Sequence, residues 1–249
     1  MKATAIGTLL GLILLVAADA RAAISMRFDG FVPPALGVTI RDGAIGTHAT
    51  SAGLLNWTIL PGGDLAAGTL QSYCIDIFQD IDFGQTVSDY SISQLESSPV
   101  YAPGGFMTAD RANSLRELVT DVTALHGSPF SFSSSILAAG FQLAVWEIVF
   151  EDDLTQPLGG TLSLSNGDFK VTSGSSAAVS QANAFLALLN GSSSSANVLA
   201  LTSPTAQDVA VLLPTTVPWT GAVPEPASLL SWSVLGLIGL GWRRLRRVA

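Results

Sequence analysis

Apolar and polar residues alternate in short runs through the first part of the chain. ISMRFDGF from Ile24, LGVTI from Leu36, LLNWTIL from Leu54 and TLQSYCIDIF from Thr69 are separated by Pro-Pro, Asp-Gly and Gly-Gly punctuation. A period near two buries one face of a pleated strand, so these segments predict a sheet. From Thr108 the period lengthens. Ala112, Leu115, Leu118, Val119 and Val122 recur at helical spacing behind Thr108, a hydroxyl suited to an N-cap. A second helix is expected from the Ser133-Ser134-Ser135 cluster to about Phe150. A third begins at Ser175 or Ser176 and ends before Gly191. Between them, Asn166-Gly167 joins two short alternating runs and predicts a hairpin, because both residues tolerate positive φ. NVLALTS and VAVLLP read as two closing strands. No internal repeat or composition break interrupts this stretch. The expected fold is therefore a single α+β domain over residues 24–214, with a sheet or barrel-like core and about three helices.

Both ends of the chain have a different character. Residues 1–23 carry Lys2, an uninterrupted apolar centre from Ile6 to Ala17 and two small-x-small cleavage sites, Ala18-Asp19-Ala20 and Ala20-Arg21-Ala22. That order of features predicts a secretory signal peptide. Residues 215–223 read as a linker bearing Pro218. Residues 224–249 then run Pro-Glu-Pro-Ala-Ser, an apolar stretch from Ala227 to Trp242, and the basic cluster Arg243, Arg244, Arg246 and Arg247. The apolar stretch is short against the roughly 20 residues that span a bilayer, yet Trp232 and Trp242 suit its two interfaces. By the positive-inside tendency the arginines stay cytoplasmic, which places residues 24–223 beyond the inner membrane. A simple C-terminal membrane anchor has the same outline.

Val223 followed by Pro224, Glu225 and Pro226, then a short apolar helix, then arginines, resembles the PEP-CTERM sorting signal of Gram-negative bacteria that make exopolysaccharide. The resemblance covers about the last 27 residues and implies recognition by an exosortase, cleavage near Pro-Glu-Pro, and delivery of the body to the cell surface or extracellular matrix.

With 48% hydrophobic and 12% charged residues, the 249-residue chain has ample material for one large core. Its negative charge lies almost wholly between the two ends. Residues 24–223 hold five basic and 17 acidic residues, a net charge near −12. A surface of that sign repels phosphate backbones, so nucleic acid is not an expected partner.

Candidate chemistry lies in one cysteine and one glutamine. Cys74 has no second cysteine to pair with. It is a buried small hydrophobe, an intermolecular disulfide partner or a nucleophile. Gln142 sits in AAGFQLAVWEIVF, where a helix surrounds it with Ala138, Ala139, Val145 and Trp146. Its amide must either bond to adjacent backbone or be consumed chemically, because an unpartnered buried amide costs about 1–3 kcal/mol.

Tyr73-Cys74-Ile75-Asp76 together with Phe141-Gln142-Leu143-Ala144-Val145-Trp146 resembles the two signatures of bacterial Cys-Gln thioester domains. The similarity runs roughly from Thr69 to Pro214 and takes in Gln207-Asp208. It implies a thioester between Cys74 and Gln142, walled by Trp146, that captures an amine or hydroxyl group of a surface or matrix partner; by its place beside Gln142, Phe141 is expected to shield the acyl group too. Phe141 stands where a hydroxyl residue often precedes the glutamine in Gram-positive adhesins. Such a reaction is stoichiometric, so the chain is expected to be neither an enzyme nor dependent on a cofactor or metal.

Two other classes compete. Only two histidines exist, His48 and His126, and a hydrolase built on a Cys74-His126 pair would need an orienting group and an oxyanion hole, for which there is no local signature. A calcium module would need closer carboxylate spacing than Asp76, Asp80 and Asp82 provide. A noncovalent matrix protein with an unreacted Cys74 is the remaining alternative.

Overall fold

A computed structural model of the chain describes residues 23–98, 107–151, 162–192, 194 and 196–213. The expected signal peptide, the linker at 215–223 and the sorting segment at 224–249, with Pro224, Glu225, Pro226 and the four arginines, lie outside the described residues. Among the described residues no helix is long and apolar enough to cross a membrane.

The strands are β1 Ile24–Phe31, β2 Leu36–Asp42, β3 Gly46–Ala52, β4 Leu55–Ile59, β5 Gly68–Cys74, β6 Thr86–Gln94, β7 Lys170–Ser173, β8 Val198–Thr202 and β9 Val209–Leu212. Six of them close into an antiparallel barrel in the order β1-β4-β5-β9-β8-β6. Alternation places Met26, Phe28, Trp57, Tyr73, Tyr90, Leu199, Leu201, Val209 and Val211 among the buried residues. The polar tips of the interior aromatics are bonded: Trp57 Nε1 donates to Ser72 Oγ at 2.8 Å, and Tyr73 Oη to the Pro129 carbonyl at 2.8 Å. β2, β3 and β7 form a separate three-stranded sheet in the order β3-β2-β7.

Three helices accompany the sheets: α1 Ala109–His126, α2 Ser135–Phe150 and α3 Ser176–Leu186. Each starts at the expected kind of cap. Thr108, Ser134 and Ser175 accept from the backbone N–H groups of Arg111, Leu137 and Ala178. α2 is the central one, and every residue from Ala138 to Phe150 is buried. It packs on α3 and α1 and reaches β5, β3 and β2. Gly140 permits the approach of α3, since a Cβ there would lie 3.0 Å from the Gln181 side chain and 3.2 Å from the Ala178 carbonyl.

Two expectations fail in detail. β3 and β6 are strands that the alternation does not single out. Among the described residues none before the Asn166-Gly167 turn belongs to a strand paired with β7: β7 pairs with β2, a single backbone bond from Val171 N to the Leu164 carbonyl at 2.9 Å crosses the turn, and residues 164–169 form turns and bends folded against the end of α2. The reason lies in two carboxylates. Glu147 Oε1 accepts from Ser163 N at 2.7 Å, and both Glu151 oxygens accept from Asp168 N at 3.1 and 3.0 Å. These bonds hold the turn against the end of the helix.

Candidate functional site

β5 ends at Cys74, and its two edges have different neighbours there. On one side β9 continues past it: Cys74 is paired with Val209, and Ile75 N donates to the Asp208 carbonyl at 3.1 Å. On the other side β4 begins only at Leu55, opposite Ser72. Alternation turns the N–H and C=O of Cys74 toward that vacated edge, where no strand meets them.

Gln142 meets them. Cys74 N donates to Gln142 Oε1 at 2.9 Å, and Gln142 Nε2 donates to the Cys74 carbonyl at 2.8 Å. The carboxamide thus stands in for a residue of β4 and adds one rung to the ladder. Trp146, one turn along the same face of α2, donates from Nε1 to Cys74 Sγ at 3.4 Å. The sulfur in turn contacts the Asp76 carbonyl at 2.7 Å and accepts from Asp76 N at 3.3 Å. Gln142, 68 positions away, therefore meets the backbone of Cys74, and Trp146, 72 positions away, meets its side chain. Cys74 is 2% and Gln142 1% exposed.

A cavity of about 220 Å³ opens onto this contact, bordered by Cys74, Gln142 and Trp146. β3 contributes His48, Ala49, Thr50 and Ser51 to its wall, and Phe31, Leu55, Asp80, Ile81 and Gln207 complete it. Phe141 is not part of that lining. It packs in an aromatic cluster, 4.7 Å from the Tyr73 ring and 6.1 Å from Phe185, so it supports the helix from behind and does not wall the cavity as expected.

The electrostatics suit neutral chemistry. Burial pushes the Cys74 thiol well above its usual range, the neighbouring Asp76 carboxylate pushes it further, and the Trp146 N–H opposes both. Burial also raises Asp76 to about 6, against hydrogen bonds from the backbone N–H groups of Phe78, Asp208 and Gln79. Asp208 is raised to about 7 by burial, partly offset by its bond from Ser203 N, with the Asp76 charge adding to the rise. Asp76 Oδ2 and Asp208 Oδ2 are buried without a hydrogen-bond partner. Burial thus shifts each carboxyl toward its protonated form.

The segment carrying Asp208 also braces the loop after Cys74. Gln207 Nε2 donates to the carbonyls of Asp76 and Gln79 at 3.0 and 3.1 Å, and its own carbonyl accepts from Tyr90 Oη at 2.8 Å. Alternation could not reveal the wall formed by β3, because its sequence, GTHATSA, has no apolar face to detect. His48 thus borders the cavity from a strand that the sequence hides. His126 ends α1 and packs its ring 5.5 Å from Phe185. Among the described residues, no group of three or more His, Cys, Asp or Glu side chains is gathered as a metal ion would require.

In comparisons with known proteins, the chain matches no family model, no curated protein and no solved structure.

Proposed function

We propose that this is an exported protein whose body forms a thioester between Cys74 and Gln142 and uses it to attach covalently to a partner. The observation that carries the proposal is the double hydrogen bond between the Gln142 carboxamide and the Cys74 backbone, with the sulfur of the same residue held by Trp146.

Each of these contacts has a role in acyl transfer. The sulfur attacks the Gln142 amide carbon, and the charge that develops on Oε1 is met by the Cys74 N–H already aimed at it. Nε2 lies against the Cys74 carbonyl, which orients it as the leaving group. The thiol proton ends on Nε2, the C–N bond breaks, and ammonia departs as the C–S bond remains. The thiol and the amide start neutral, and the thioester and ammonia finish neutral. A buried site that penalises charge, as the raised Cys74 and Asp76 show, does not obstruct such an exchange. The thioester is then opened by an incoming nucleophile, which forms an amide or ester at Gln142 and returns the Cys74 thiol. The Cys74 carbonyl, vacated by Nε2, becomes an acceptor for an attacking amine.

In the same proposal, residues 1–23 direct export. Pro224, Glu225 and Pro226, with the apolar stretch and arginines 243, 244, 246 and 247, bring the chain to an exosortase at the inner membrane, and the body reaches the cell surface or matrix. The motifs quoted for the two ends support this part.

Intact-mass measurement tests the bond. The purified chain should weigh one ammonia less than its sequence with its observed termini. Cys74→Ala should abolish that loss, and methylamine should add to the parent chain alone. A second reading has its own support, since the rung made by Gln142 is a sufficient structural reason for a buried glutamine. In that case Cys74 stays a free thiol in a noncovalent matrix protein, and the mass is unmodified.

A further inference from the structure

Among the described residues, β3 is an edge strand that lacks several of the usual protections of an edge. Among the described residues it pairs only with β2, in an unshifted register from Leu36↔Ala52 to Asp42↔Gly46. Its seven residues contain no proline, no lysine and no carboxylate, five of them are exposed, and no bulge twists the edge away. Proteins commonly blunt such an edge with one of these devices, because a row of unpaired N–H and C=O groups invites another strand.

This edge borders the reactive cavity. Successive side chains of a strand point to opposite faces. His48, Ala49, Thr50 and Ser51 are consecutive, so they can border one cavity together only along the strand's edge. The acidic body and Asp80 in the cavity wall favour a cationic segment there.

We propose that the open edge of β3 accepts an extended segment of a partner protein as an added strand, and that this docking lays a partner lysine into the cavity beside Gln142. The proposal rests on the thioester reading and narrows its target to an amine on a polypeptide. A polysaccharide offers neither the backbone groups that complete a ladder nor the positive charge. In the coupling step the lysine Nζ bonds to the Gln142 carbonyl carbon and the C–S bond breaks. One proton passes from nitrogen to sulfur, leaving an isopeptide and a free Cys74 thiol. Added-strand docking raises the local amine concentration and so acts on rate.

The test follows adduct formation on the full chain by intact mass with three probes: methylamine, Nα-acetyl-lysine amide, and an alternating threonine/valine peptide with a central lysine. The peptide should react about tenfold or more faster than acetyl-lysine amide at equal concentration. N-methylating alternate residues along one edge of the peptide should remove the advantage, and methylating the other edge should leave it. Equal rates for peptide and acetyl-lysine amide, or equal effects of the two methylation patterns, would overturn the docking proposal while methylamine addition upholds the thioester. If methylamine fails to add, the thioester reading fails and the docking proposal with it.

Discussion

The rung between Gln142 and Cys74 can be removed without changing the volume of the helix. Gln142→Met is close to the parent in size, but it presents no donor or acceptor. Two buried main-chain groups, the Cys74 N–H and C=O, then lose their partners. An orphaned buried polar group costs about 1–3 kcal/mol, so the pair should cost roughly 2–6 kcal/mol in all. That is a large share of the ~5–15 kcal/mol that holds a typical domain together. The comparison is best made in a Cys74→Ala background, where no covalent bond can form and the backbone contacts remain. Urea unfolding at neutral pH supplies the free energies. Gln142→Glu refines the result, since a protonated carboxyl reproduces both bonds and a carboxylate only one. Its folded-state pKa should rise above the ~4.3 of a free glutamate. The advantage of Glu over Met is then full below about pH 4 and declines as pH rises through the folded value. If Gln142→Met lies within about 0.5 kcal/mol of its parent, the carboxamide is not the missing rung and the reasoning is refuted.

Three further outcomes are expected. Glu147, raised to about 8 mainly by burial, binds its proton more tightly in the folded chain than in the unfolded one. Its contribution to stability should therefore be fully present below about pH 4.5 and be lost as pH climbs through about 8, at ~1.4 kcal/mol for each pH step of one between those limits. Glu147→Gln should flatten that decline in urea titrations at about pH 5 and pH 8. Gly167→Ala should destabilise by about 1–3 kcal/mol from backbone strain alone. Gly167 has φ 92°, and a Cβ there would collide with the Glu151 carboxylate that holds Asp168, an effect read as a lowered melting temperature. Trp146→Phe keeps the packing but removes the N–H on the sulfur, at a cost of about 1 kcal/mol by urea unfolding. It should also slow ammonia loss in a mass time course.

Much of the architecture can be read from residue order because apolar periodicity and capping act locally. Thr108, Ser134 and Ser175 announce their helices, and the strands at Ile24, Leu36, Leu55, Val198 and Val209 carry apolar faces that a sheet must bury. Gln142 and Cys74 stand out for the same reason, as a polar group and a lone thiol in apolar surroundings. What stays hidden depends on partners distant in the chain. β3 is a strand only because β2 offers it a ladder, and Asn166-Gly167 is drawn onto α2 by Glu147 and Glu151. The displacement of Phe141 from the cavity wall follows from helix rotation. Tyr73 and Phe185 occupy the side of α2 that Phe141 faces, a choice that one-dimensional spacing does not encode.

The enclosure of α2 on all sides bears on how the molecule would carry a load. If the proposed bond forms, a tether fastened at residue 142 would be anchored deep in the fold, on a helix buried from Ala138 to Phe150. Tension would be shared by the strands and helices around it, with no single loop taking the pull. Detachment would demand that these layers part together, as a bolt set through a wall resists where a hook on its surface gives way.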